Sequence, residues 1–159
     1  MSGRRPWRRL ALGAAAAVVA LGAAAGAWWW LRSAPPAIDP DDPAQVALGQ
    51  RVYVENCAQC HGARLEGQPD WRERLPNGRL PAPPHDADGH TWHHPDKVLL
   101  DITKRGLTPF APPGYESDMP AYEGVLTDAE MRAVLAYIKS AWPPQIRERQ
   151  ARIDREAQR

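Results

Sequence analysis

The chain has 159 residues, with 17 Pro, 12 Gly and only two Cys. That length suits one modest domain with appendages and leaves little room for two independent cores, while two cysteines exclude a disulfide framework and an all-cysteine zinc site. The net charge of +1 conceals segregation: residues 1–33 hold five Arg and no acid, residues 34–142 hold 10 basic and 16 acidic groups, and residues 143–159 hold five basic and three acidic.

Leu10 to Leu31 is a run of 22 residues without a charge, with four Arg before it and one after. As a helix rising ~1.5 Å per residue it reaches roughly 33 Å, enough to cross a ~30 Å hydrocarbon core. The Arg asymmetry places the N-terminus in the cytoplasm and everything beyond Arg32 outside it. Trp28, Trp29 and Trp30 stand at the exit, where indole rings favour the wet interface. The run contains ten Ala and three Gly, and Ala25-Gly26-Ala27 fits a cleavage pattern. A cleaved export signal is therefore the alternative to a retained anchor.

Ser33 to Pro43 is rich in Pro and Asp and reads as an extended spacer. A helix is expected from Ala44 through Val46, Leu48, Val52 and Tyr53 to the cysteines, with Gly49 and Tyr53 one turn apart. Gly62 to Pro84 reads as loop, with Pro at 69, 76, 81, 83 and 84. Pro95 opens another helix that turns Val98, Leu99 and Ile102 inward and ends at Gly106. Leu107 to Pro120 is again loop. Thr127 as N-cap with Glu130 at the third helical position forms a capping signature for the last firm helix, which carries Met131, Val134, Leu135 and Ile138 inward. Pro143-Pro144 stops it, and the polar residues that follow read as a solvated helix or frayed tail. No repeats and no convincing strands are seen; the fold class is all-α with long loops.

Cys57-Ala58-Gln59-Cys60-His61 is the attachment pattern of a c-type haem. Residues three and four apart share a helix face, so both thiols and the imidazole can point at one haem. The thiols then form thioethers with its two vinyl groups, and His61 reaches the iron as proximal ligand. A thioredoxin-like dithiol would need a parallel-sheet context that the flanking sequence lacks. A zinc site would need two further ligands from the histidines at 85 to 94. For the opposite axial position the thioethers are Met1, Met119 and Met131. Met1 lies before the membrane run, and Met131 sits on the inward face of the last helix. Met119-Pro120, in the loop before that helix, is the expected distal ligand, with His85, His90, His93 and His94 as the bis-histidine alternatives.

From roughly Ala44 to Pro143 the sequence resembles a class I cytochrome c. The resemblance rests on Gly49-x-x-x-Tyr53, on CAQCH at 57–61 and on MPAYEGVLTDAEMRAVLAYIKSAW at 119–142. It implies the cytochrome c fold around one covalent haem c, with the first and last helices crossing so that Gly49 and Tyr53 meet Val134 and Tyr137. It also maps the family's distal ligand onto Met119. The organisation expected is residues 1–32 as basic N-terminus and transmembrane anchor or uncleaved signal, 33–43 as spacer, 44–143 as cytochrome c domain and 144–159 as polar tail.

The segment Leu80 to Gly106 departs from the simplest members, with four His within ten residues. Trp92 is expected at the haem edge. His85, His90, His93 and His94 are candidates for a second copper or zinc site. Asp86-Ala87-Asp88-Gly89 resembles a calcium loop but fails, because Lys97 stands where a bidentate Glu is needed.

The function expected is electron transfer between respiratory complexes by a single-pass protein of the bacterial cytoplasmic membrane, its haem domain periplasmic. Its partners would be redox proteins such as a respiratory complex or oxidase, with no nucleic acid and no small-molecule substrate. With both axial positions filled, an enzyme is not expected. The alternatives are a haem c subunit of a larger oxidoreductase and a metal-responsive haem protein using the His85–His94 segment.

Overall fold

A computed structural model describes residues 19–29 and 36–159 of the chain. Contacts divide it into two units, residues 1–35 and residues 36–159. In the first, residues 19–29 are helical (α1) and exposed. Among the described residues no helix is long and apolar enough to cross a membrane. Residues 10–18, 30 and 31 of the expected Leu10–Leu31 span lie outside the described residues.

The second unit is built from α2 (Pro43–Asn56), α3 (Ala58–His61), α4 (Asp96–Arg105), α5 (Asp128–Ser140) and α6 (Pro144–Ala157), with single 3-10 turns at Thr91–His93 and Thr108–Phe110. Among the described residues the only β feature is an isolated bridge between Glu123 and Leu126. Side-chain caps set the starts of α2 and α5. Asp42 caps α2 by accepting from the amides of Ala44 and Gln45, with Pro43 in the first turn. Thr127 and Glu130 close both halves of a capping box on α5. Gly106 ends α4 at a φ of +73°, a left-handed conformation that a side chain would strain.

The most extensive helix contact is between α2 and α5. Gly49 makes it possible, because a Cβ there would sit 1.9 Å from the carbonyl oxygen of Ala133 and 2.9 Å from Cβ of Tyr137. One turn on, the Tyr53 ring lies 5.3 Å from that of Tyr137. The expected crossing of the first and last helices is therefore present, with Ala133 taking the closest contact. Val52, Tyr53, Leu99, Val134, Leu135 and Ile138 form the centre of the core, which extends to Leu65, Trp92 and Trp142 in and beside the loops. Burying each such side chain stabilises the fold by about 1.5–3 kcal/mol.

One expectation about the flanking segments changes. The second half of the spacer is folded onto the domain: Ile38 packs against the core, and Asp41 pairs with Arg147 at 2.6 Å. Of the solvated helix and frayed tail expected for the C-terminal residues, the helix is present as α6, which packs against the turn at 91–93. Gln150 on α6 is 0% exposed and donates to Asp96 at 2.8 Å, and Lys139 of α5 donates to both oxygens of Asp96, also at 2.8 Å. A polar anchor of this kind, carried by single residues, leaves no periodic apolar signal to read.

Candidate functional site

In the CAQCH segment Cys57 joins α2 to α3, and Ala58–His61 is the single turn of α3. The carbonyl of Cys57 accepts from the amides of Cys60 at 3.1 Å and His61 at 2.9 Å, which brings the three side-chain positions onto one turn. Neither cysteine is in a disulfide; Cys57 is half-buried and Cys60 exposed. Before attachment, burial pushes the Cys57 thiol up to about 11.

His61 is 8% exposed, and its Nδ1 donates to the carbonyl of Pro83 at 2.8 Å. A carbonyl can only accept, so Nδ1 carries the proton and Nε2 is left with its lone pair. Burial also holds the imidazole below its usual value, against the pull of that hydrogen bond, which favours the neutral, metal-binding form. The Tyr53 hydroxyl secures the backbone behind the ring by donating to the carbonyls of Gly62 at 2.8 Å and His61 at 3.2 Å.

The Met119 segment is bound to both α2 and α4. The Tyr122 amide donates to Thr103 and that of Glu123 to Lys104, while the Tyr122 hydroxyl donates to the carbonyl of Asn56 at 2.6 Å. Tyr122 also approaches the Cys57 thiol, and burial together with the two cysteines raises its hydroxyl to about 12. Met119 itself is half-buried, its amide donating to Ser117 Oγ at 3.1 Å.

The four histidines of the middle segment go to different neighbours. His85 stacks on His61 with ring centroids 4.0 Å apart, its Nδ1 2.8 Å from Thr91 Oγ1, and burial holds its imidazole well below the usual value. His90 stacks on Trp71 and meets His94 edge-on. His93 stacks on Trp92. Among the described residues no group of three or more His, Cys, Asp or Glu is gathered to hold a metal ion. The Trp92 indole donates to the carbonyl of Ala87 at 3.2 Å and lies under the Arg149 guanidinium of α6.

Pro83, which acts through its carbonyl, was not singled out by sequence and carries no pattern in one dimension. His85 was singled out as a candidate ligand, but its stack on His61 was not visible in the sequence. Tyr122 lies inside the 119–142 signature, so its position was visible although its contact with the cysteine turn was not.

Two thiols and a tautomer-fixed imidazole on one turn of a small all-helical domain suit covalent haem, and they define a c-type haem protein. The family model described as Cytochrome c matches residues 46–142, and the chain belongs to that family. The cofactor is covalently attached haem c, the role of the domain is haem c electron transfer, and the all-helical fold is the cytochrome c fold. Over 45 residues the chain is 40% identical to the "Cbb3-type cytochrome c oxidase subunit CcoP" of Rubrivivax gelatinosus. The match covers 28% of this chain and 15% of that subunit. No solved structure matches the chain.

Proposed function

We propose that this chain is a monohaem electron carrier in which Cys57 and Cys60 hold the haem and His61 and Met119 are its axial ligands. The observation that carries this reading is the Pro83–His61 hydrogen bond, which prepares Nε2 as a ligand on the same turn as the two cysteines. When bound, haem supplies a one-electron ferric–ferrous couple. The chain's part is to keep the ligand geometry the same in both states. His61 is held by Pro83 and by the backbone contacts of Tyr53, and the segment carrying Met119 is tied to α2 and α4 through Tyr122 and Glu123.

Methionine is favoured over a second histidine by the stacking of His85. His85 stacks on the His61 ring with centroids 4.0 Å apart, so the two imidazoles lie together and would not hold one haem from opposite faces in this arrangement. His90 and His93 are engaged with Trp71 and Trp92. Methionine–histidine ligation raises the reduction potential relative to bis-histidine ligation. A reduced-minus-oxidised spectrum with a potentiometric titration tests the assignment. The red methionine-to-iron band of the ferric protein is expected in the wild type and absent in Met119→Ala. Its absence from the wild type, or its survival in the variant, overturns the ligand pair.

We place the carrier on the periplasmic face of the bacterial cytoplasmic membrane, tethered by the Leu10–Leu31 run with the N-terminus cytoplasmic. Support comes from the uncharged length of that run and its flanking arginines. Carbonate-resistant recovery of the full chain in the membrane fraction is the expected result; release on washing would defeat it. A second reading, haem c subunit of a terminal oxidase, is favoured by the similarity to the CcoP subunit. Co-purification in stoichiometric amounts with an oxidase from mild detergent would select it over a free carrier.

A further inference from the structure

We propose that Arg79 is a positioning residue for Met119, clasping the methionine loop through Glu116 and Asp118; this rests on the reading of Met119 as distal ligand. Arg79 belongs to the loop that leads from His61 to Pro83, on the His61 side of the chain. Its guanidinium donates to Glu116 Oε2 from Nε at 3.2 Å and from Nη2 at 3.0 Å, and from Nη1 to Asp118, the residue directly before Met119. The two carboxylates in turn raise the Arg79 guanidinium's affinity for its proton, and the side chain stays charged throughout the accessible pH range.

The presenting backbone is a closed turn. The Leu75 amide donates to the Arg79 carbonyl and that of Gly78 to the Leu75 carbonyl, both at 2.8 Å. The Arg79 amide donates to Asn77 Oδ1 at 3.0 Å, and Arg74 Nη1 donates to the Gly78 carbonyl at 2.6 Å. The same turn makes a second contact with the same loop, since the Arg74 guanidinium lies 5.6 Å from the centre of the Tyr115 ring. Sequence-distant loops thus meet twice within a few residues of the sulfur.

The two flanks of Met119 are held differently. After it, backbone hydrogen bonds join Tyr122 and Glu123 to the end of α4, and the Met119 carbonyl lies against Gly106. Before it, the loop is held by charge. Side chains of Glu116 and Asp118 are 69% and 58% exposed, so the clasp is screened by salt. An isolated exposed ion pair contributes little, but one guanidinium bridging two carboxylates from a fixed turn adds geometry as well as charge. Breaking it frees the loop to swing Met119 away and concedes the iron position to a competing ligand.

The test is imidazole competition against the ferric, haem-loaded full chain at pH 8, where imidazole is largely neutral. Raising the salt is expected to tighten imidazole binding to the wild type by about threefold to tenfold. Arg79→Gln is expected to show the high-salt affinity already at low salt and to lose the salt dependence. Glu116→Gln with Asp118→Asn should do the same, and adding Arg79→Gln to that pair should change nothing further. Arg79→Lys, which keeps the charge but loses the fork, should fall between. Low-salt affinity of Arg79→Gln within about twofold of wild type, with the salt curve intact, overturns the clasp. If the methionine-to-iron band is present in wild type and lost in Met119→Ala, that failure belongs to the clasp alone. If the band fails either condition, the ligand reading fails and the clasp with it.

Discussion

Gly49 of α2 lies against the backbone of Ala133 in α5 so closely that an added Cβ would stand 1.9 Å from the Ala133 carbonyl oxygen and 2.5 Å from its carbon. The obstacle is helix backbone, which cannot rotate aside as a side-chain tip can. Gly49→Ala is therefore expected to push the two helices apart and destabilise the protein by about 1–3 kcal/mol. Denaturant unfolding of the haem-loaded protein measures it. A change of no more than a few tenths would show that the crossing is loose.

Lys139, Asp96 and Gln150 join α5, the start of α4 and α6 through one carboxylate. The lysine and aspartate side chains are 10% and 20% exposed, so removal of one partner leaves the other poorly solvated. Lys139→Met is expected to lower stability by roughly 1.5–3 kcal/mol, the range for hydrogen bonds to charged groups. Adding Asp96→Asn should recover part of the loss, because the stranded charge is gone. A double variant worse than the sum of the single ones would contradict this account.

Trp142 is buried, and its indole N–H donates to the carbonyl of His85 at 2.7 Å, joining the end of α5 to the segment stacked on His61. Trp142→Phe leaves that carbonyl without its donor and removes part of a buried ring. A loss of about 1–3 kcal/mol is expected. Because His85 lies on His61, the reduction potential should move as well, whereas a purely structural tryptophan would change only the unfolding midpoint.

His90 and His94 are both held below the ordinary imidazole value of 6.5, chiefly by burial, with His94, His93 and Arg72 adding to the effect on His90 and His93 adding to that on His94. Below that value the unfolded chain takes up protons before the folded one does. Stability contributed by the neutral rings is therefore complete above about pH 6.5 and declines as pH falls toward the lowered folded-state values. The melting temperature should therefore fall as the pH is lowered from 7.5 to 5.5. His90→Gln with His94→Gln should reduce the slope, the remainder belonging to the buried His85; an unchanged slope would assign none of the acid sensitivity to the pair.

The sequence by itself determined the chemistry and the helical frame. CAQCH is a local arrangement, because three and four residues along a helix define one face whatever the rest of the chain does. The Thr127–Glu130 capping box and the Gly106 stop are likewise local, and helices stand where those signals put them. The crossing at Gly49 and Tyr53 was implied by the resemblance to class I cytochromes c and not by the spacing alone.

Tertiary structure decided what depends on residues far apart in the chain. Pro83 fixes the His61 tautomer across 22 positions, and Trp142 reaches His85 across 57. The histidine cluster read as four ligands close in sequence, but ring stacking sends His85, His90 and His93 to three different aromatic partners. Residues 144–157 looked solvated because their anchor is one buried glutamine rather than an apolar stripe. Arg79 belongs to no sequence motif, and only the fold brings Glu116 and Asp118 to it. Hydrogen bonds and ion pairs between loops leave no period in the sequence, since their geometry exists only once the chain has closed on itself.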